Sequence, residues 1–190
     1  MIFREGSMTP IEIAAQVISI LGMTMNVLSY QQKNKRMVIA FQFFGGAFFA
    51  ISFFMLGAIV GSIMNIIAVI RAIVYMNKEK LHTDRIEWVY AFTVLFFVSY
   101  ALTFTVIGKE PSVKNLVLEM LPIIGMIATT VSFRLEGARE VRRLGLISAP
   151  AWLIYNIFCF SLGGILCEMF GMVSIFIGMA RFDIKRREKT

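Results

Sequence analysis

The stretch WLIYNIFCFSLGGILCEMF, residues 152–170, carries a single acidic side chain, Glu168, in otherwise apolar surroundings. An ionised carboxylate taken out of water is costly without a partner or a wet cavity, so its default reading in such a run is a binding, pathway or proton-carrying residue. Ser148, Trp152 and Asn156 precede it at spacings of four, which on a helix places them on one face. An aromatic face stacks on rings and on the C–H faces of sugars and attracts cations. Amides and a carboxylate orient hydroxyls or amines. The chemistry indicated is recognition of a small polar solute, with Glu168 binding a cationic or hydroxylated group or carrying a proton.

A second set stands at a fixed distance from the first. Sliding the chain by 103 residues aligns SILGMTMNVLSY (19–30) with PIIGMIATTVSF (122–133), and pairs Arg36 with Arg139, Gly61 with Gly164 and Met76 with Met179. The same shift sets Asn65 against Glu168, Phe49 against Trp152, and Gly45 and Phe53 against Ser148 and Asn156. Phe49, Phe53 and Asn65 therefore join Ser148, Trp152, Asn156 and Glu168 as candidate substrate-binding residues. Each has a plainer alternative. Trp152 could be an interfacial or packing tryptophan, and Asn65 and Asn156 could hydrogen-bond neighbouring helices. Glu168 could be structural, protonated or paired with Arg71. Arg71 is expected to snorkel toward the nearer membrane face, His82 to be solvated, and Cys159 and Cys167 to be small core residues.

The elements that must hold these residues are membrane helices. The chain has 190 residues, 58% hydrophobic and 16% charged, with a mean hydropathy of +0.75. Charges are confined to short islands between long apolar runs, the pattern of a polytopic membrane protein. Seven runs are long enough to be spans: 11–30, 37–56, 58–76, 87–107, 114–133, 142–160 and 162–181. Gly57 marks a tight turn between the second and third, and Gly163 with Gly164 marks one between the sixth and seventh. Residues 77–87 form a polar linker. The predicted architecture is an all-α membrane protein of two parallel three-helix repeats around a connector helix. Residues 11–76 form the first repeat, 77–108 the linker and connector, 109–181 the second repeat, and 182–190 a basic tail.

The net charge of +7 does not point to nucleic acid, because the basic residues cluster at the ends of apolar runs. With the N-terminus outside, fifteen lysines and arginines fall on the cytoplasmic side and three outside. The positive-inside rule therefore puts the N-terminus outside and the C-terminus in the cytoplasm. No removable signal peptide is visible at the N-terminus. No metal-ligand cluster, Ser/His/Asp or Cys/His set or phosphate-binding glycine loop is present, and the one histidine lies in a linker, so an enzyme, a metal site and a cofactor are not expected. The partners expected are the solute and membrane lipids, and both a monomer and a homo-oligomer are compatible with the chain.

SYQQKNKRM with FQFFGGAFFAISFFMLGAIVGSIMNIIAVIRAIVY, and RRLGLISAPAWLIYNIFCFSLGGILCEMFGMVSIFIGMARFDI, resemble the YgjV-type bacterial inner-membrane proteins over residues 14–184. The resemblance is most specific in the WLIYN…GGI…E…IGM.RFD stretch and implies a bacterial cytoplasmic membrane location. The three-one-three layout is more distantly similar to the SWEET and semiSWEET sugar transporters, the PQ-loop proteins and the PnuC vitamin transporters. In SWEET-like proteins a tryptophan on the second helix of a triplet and an asparagine on the third line the sugar site. Trp152 with Glu168, and Phe49 with Asn65, fall at those places. Phenylalanine at 49 and glutamate at 168 depart from that pair, and the PQ position reads Tyr30-Gln31 and Phe133-Arg134. The function expected is a transporter or facilitator of a small polar solute, sugar-like, vitamin-like or cationic, working by alternating access. The alternatives are a non-transporting receptor or accessory protein on a PQ-loop-like bundle, and a lipid-handling protein.

Overall fold

The computed structural model describes residues 7–30, 35–135 and 138–180. Arg4, Gln31, Lys33, Arg181 and the basic tail 182–190 lie outside the described residues. Those described are helical and contain no strand: α1 (Pro10–Tyr30), α2 (Lys35–Met55), α3 (Ile59–Met76), α4 (Lys78–Leu81), α5 (Glu87–Thr105), α6 (Val113–Arg134), α7 (Ala138–Phe158) and α8 (Leu162–Gly178). A helix satisfies its own backbone, which lipid cannot do, so long apolar runs take this form. Against seven expected spans, four helices among the described residues, α1, α3, α5 and α6, are long and apolar enough to cross a membrane. The apolar stretches of α2 and α8, Ala40–Met55 and Leu162–Gly178, are shorter. In α7 the first turns carry Arg139, Glu140, Arg142 and Arg143. The polar linker contains the single turn α4.

Contacts run around the molecule in a closed order. α1 packs on α2 and α2 on α3; α6 packs on α7 and α7 on α8; the two groups meet along α1–α8 and α3–α6, and α5 lies outside against α3 and α6. The shared interior holds Phe49, Phe53, Met64, Tyr155, Trp152 and Ile123. Large apolar side chains such as Phe54, Phe97, Phe170 and Phe176 face outward and fit a lipid surface.

Both tight turns use one residue in the left-handed region. Between α2 and α3 it is Gly57 (φ 71°), where the sequence placed it; Ala58 N–H then donates to Phe53 O at 2.8 Å. Between α7 and α8 it is Phe160 (φ 59°), with Ser161 N–H donating to Asn156 O at 3.0 Å. Gly57 and Phe160 are 103 residues apart. The expectation that Gly163 and Gly164 make the second turn is therefore corrected. Both lie in the first turn of α8, and close packing rather than backbone freedom explains them. A Cβ on Gly163 would sit 2.2 Å from the carbonyl carbon of Ser19 on α1, and one on Gly164 would sit 2.0 Å from Asn156 Oδ1.

The same end of α8 shows how its unpaired N–H groups are met. Ser161 Oγ accepts from Gly164 N–H (3.4 Å), Ser19 Oγ from Gly163 N–H (3.0 Å) and Gln16 Oε1 from Leu162 N–H (2.9 Å). Gln16 Nε2 also donates to Phe160 O at 2.5 Å, so one amide ties α1 to both sides of the turn. At α3 the equivalent duty falls to Tyr155 on α7, whose hydroxyl accepts from Gly61 N–H at 2.9 Å. The overlap at Gly163 involves backbone that cannot swing away. Gly163→Ala is therefore expected to lower thermal stability in detergent, by roughly 1–3 kcal/mol as for other overpacked sites. Gly171→Ala, where a Cβ meets nothing within 4 Å, leaves the melting temperature equal or higher.

Candidate functional site

The aromatic candidates come together. Phe53 stacks on Trp152 (centroids 6.2 Å, 28°) and lies 6.2 Å from Phe49, and Tyr155 meets Phe53 at 5.8 Å and Trp152 edge-on at 6.0 Å. Glycines let these rings approach the neighbouring backbone: Phe49 lies against Gly22 on α1, and Trp152 against Gly125 on α6. The two contacts are again separated by 103 residues. Ser148 Oγ donates to Gly125 O at 3.1 Å, joining α7 to α6 beside the indole. Tyr155 and Phe53, 0% and 2% exposed, close the interior near the level of the two turns.

The polar candidates are disposed differently. Asn65, on α3, donates to Gly61 O of its own helix at 2.9 Å. Glu168 stands on α8 one turn beyond Gly164, as Asn65 does beyond Gly61. It is half-buried and has no hydrogen-bond or ion-pair partner among the described residues. The difference follows from chemistry: an amide has a donor for the carbonyl one turn back, whereas an ionised carboxylate has only acceptors. Asn156 is 2% exposed, and its buried Oδ1, packed against Gly164, has no hydrogen-bond donor. The neighbouring Cys167 receives a long contact from Asn26 Nδ2 on α1, at 3.8 Å. Both cysteines are free thiols, and His82 is exposed.

Arg71 corrects its expected role. It does not snorkel outward: its side chain is buried between α3 and α6, where Nη1 donates to Met126 O (3.3 Å), Thr129 Oγ1 (2.9 Å) and Thr130 Oγ1 (2.8 Å). Its guanidinium also sits 4.7 Å over the Phe133 ring, and Glu168 is not its partner. Neutral acceptors on another helix hold it, which a search for a nearby carboxylate does not reveal.

Sequence reasoning missed two buried polar residues on α1 and α6, Gln16 and Glu119, which are 103 residues apart. Glu119 is 2% exposed and forms an ion pair with Lys109 from the α5–α6 loop, while its Oε2 has no partner. The signal was present: an acid in VLEML near the start of an apolar run, ten residues after Lys109 and five after Lys114. No group of three or more His, Cys, Asp or Glu arranged to hold a metal occurs among the described residues.

The family model Imp-YgjV, described as bacterial inner membrane protein, matches residues 13–186. The chain belongs to that family. No curated protein and no solved structure matches it. For this family member the apolar outer surface and the buried ion pair are both consistent with a membrane setting, and the ion pair gives a direct test. Lys109→Met leaves Glu119 buried without its cation. Stability is expected to fall by about 2 kcal/mol, below the roughly 3–5 typical of a fully buried pair because the Lys109 side chain is 35% exposed. Adding Glu119→Gln should recover most of that loss, as read by thermal or denaturant unfolding in detergent.

Proposed function

We propose that this protein is a transporter or facilitator of a small polar solute, moved by alternating access between two parallel three-helix repeats, α1–α3 and α6–α8, with α5 as connector. The observation that carries the reading is Glu168, a half-buried acid without a protein partner among the described residues, on an apolar helix one turn beyond the glycine that packs on the unsatisfied Oδ1 of Asn156. A carboxylate left open in this way suits a solute's cationic or hydroxylated group, or a proton. Support for the repeats comes from contacts recurring at the 103-residue offset: Gly22 on Phe49 with Gly125 on Trp152, and the left-handed turn residues Gly57 and Phe160. The seams α1–α8 and α3–α6 are equivalent under the same offset, as a pseudo-twofold axis along the membrane normal requires.

In this arrangement the Phe49, Phe53, Trp152 and Tyr155 cluster is the closed gate on the side of the two turns, and rocking of one triplet against the other opens it. Trp152 and Phe49 stack on the solute as the gate parts, Asn156 and Asn65 orient it, and Ser148 holds Trp152's helix to α6. Asn65 must first release Gly61 O. Protonation gives Glu168 the donor that Asn65 already has, so the protonated acid can bond back to its own helix and let the solute go. The basic ends of the helices face the cytoplasm, with the N-terminus outside.

The test is solute flux into proteoliposomes across sugars, nucleosides, B vitamins, amino acids and cationic amines. Flux above protein-free vesicles is expected for one class, and it should vary with pH. Glu168→Gln should abolish the pH dependence while leaving the melting temperature near that of the parent. Flux that varies with pH equally in both proteins removes the proton role of Glu168. Absence of flux for every class favours a non-transporting receptor or accessory protein.

A further inference from the structure

A different cluster, at the opposite end of α3 from the aromatic gate, is left open by the contacts around Arg71. A guanidinium offers five N–H groups in a rigid plane, and the fork formed by Nε and Nη2 is the edge that engages oxyanions with two parallel bonds. All three hydrogen bonds of Arg71 use Nη1, and all go to neutral oxygens. Its Nε is sealed from solvent and has no partner. Neither Arg71 nor Arg134 forms an ion pair with a carboxylate among the described residues. Tyr75, one helical turn further along α3, is 7% exposed, and its buried hydroxyl is also unpartnered. Its ring is fixed between Phe92 and Phe133, at 6.4 and 5.5 Å, so the hydroxyl cannot easily turn to another partner.

Two more groups belong to this end of the bundle. Thr83, in the linker before α5, is 1% exposed with an unpartnered Oγ1. The adjacent Asp84 carbonyl accepts from Arg134 Nε at 2.9 Å, which fastens the linker to the end of α6. Of the acids here, Glu79 and Asp84 are exposed, and Glu87 is exposed and paired with Arg85 at 2.9 Å. Arg71 is thus a buried cation with unmatched donors near it and no carboxylate paired to it, while Arg134 lies at the exposed rim, on the side of Glu87. An unpaired buried charge is expensive, and so is each unmatched polar atom. A negatively charged oxygen ligand with several acceptors removes these penalties together.

We propose that the junction of α3, α6 and the 77–87 linker is a binding site for a phosphate group, held by the Arg71 fork, the Tyr75 and Thr83 hydroxyls and the charge of Arg134. The phosphate belongs either to an anionic lipid headgroup or to a dissolved phosphate, and the site is independent of the Glu168 reading. Because α3 and α6 come from different triplets, the bound group also bridges them.

The test uses the full chain in non-ionic detergent with two probes. Sodium phosphate is compared with sodium chloride at equal ionic strength by thermal shift. Dioleoylphosphatidylglycerol added to delipidated protein is followed by native mass spectrometry. A dissolved ligand gives stabilisation by phosphate but not chloride, and a lipid ligand gives one retained phosphatidylglycerol per chain. In either case Tyr75→Phe and Thr83→Val, which each remove one hydroxyl, are expected to weaken binding about tenfold. Arg71→Gln should eliminate it, and the two hydroxyl variants keep the test decisive if that protein does not fold. Absence of binding by both probes, or binding equally strong in Tyr75→Phe and Thr83→Val, overturns the proposal.

Discussion

Helices in lipid gain little from burying apolar surface against one another, because the solvent they leave is equally apolar; close backbone approach and hydrogen bonds must hold them instead. That constraint governs this bundle. Gly163 admits the α1 backbone and Gly164 the Asn156 amide; Gly61 admits Tyr155, Gly125 the Trp152 indole, and Gly22 the Phe49 ring. Where the approach is closest, polar side chains use it. Ser19 and Gln16 reach the first N–H groups of α8, and Tyr155 reaches one in α3. Packing and capping are the same event at these crossings, so a small residue and its polar neighbour act as a unit.

Polar side chains that take no part in such crossings stand out by contrast. Asn65 and Glu168 occupy corresponding turns of α3 and α8, yet only the amide finds a partner within its own helix. Arg71 and Glu119 are both buried charges, and they are treated in different ways. Glu119 is met by a lysine from a loop, Arg71 by hydroxyls, a carbonyl and an aromatic face. Glu119 is within reach of a lysine from the α5–α6 loop, whereas the Arg71 side chain is enclosed between α3 and α6, where neutral oxygens of α6 meet it.

Much of the helical layout was legible because apolar run length and charge islands are local properties. All seven runs correspond to helices, with ends displaced by a few residues. The aromatic set was legible from the 103-residue offset, which placed Phe49 and Phe53 with Trp152 before any contact was known. Glycine was read less well, since the letter is the same whether it serves a left-handed turn, as at Gly57, or a close crossing, as at Gly163. Phe160 takes the second turn without any sequence mark. The environments of Arg71 and Gln16 depend on partners 55 to 59 and 144 to 146 residues away, and those partners are neutral. Charge patterning finds opposite charges; it has no means of finding a carbonyl or a hydroxyl on a distant helix.

The clasp between α1 and the α7–α8 turn also has an implication for how the protein is made. Translation delivers α1 first and α8 last. Gln16 and Ser19 therefore enter the membrane long before the N–H groups they serve exist, and until then they must find other partners or water. The final hairpin, in turn, arrives with the first residues of α8 unsatisfied and is met by a helix already waiting. Closure of the bundle thus waits until α8 has been made, and a chain stopped before residue 160 would hold its first helix without the contacts that fix it.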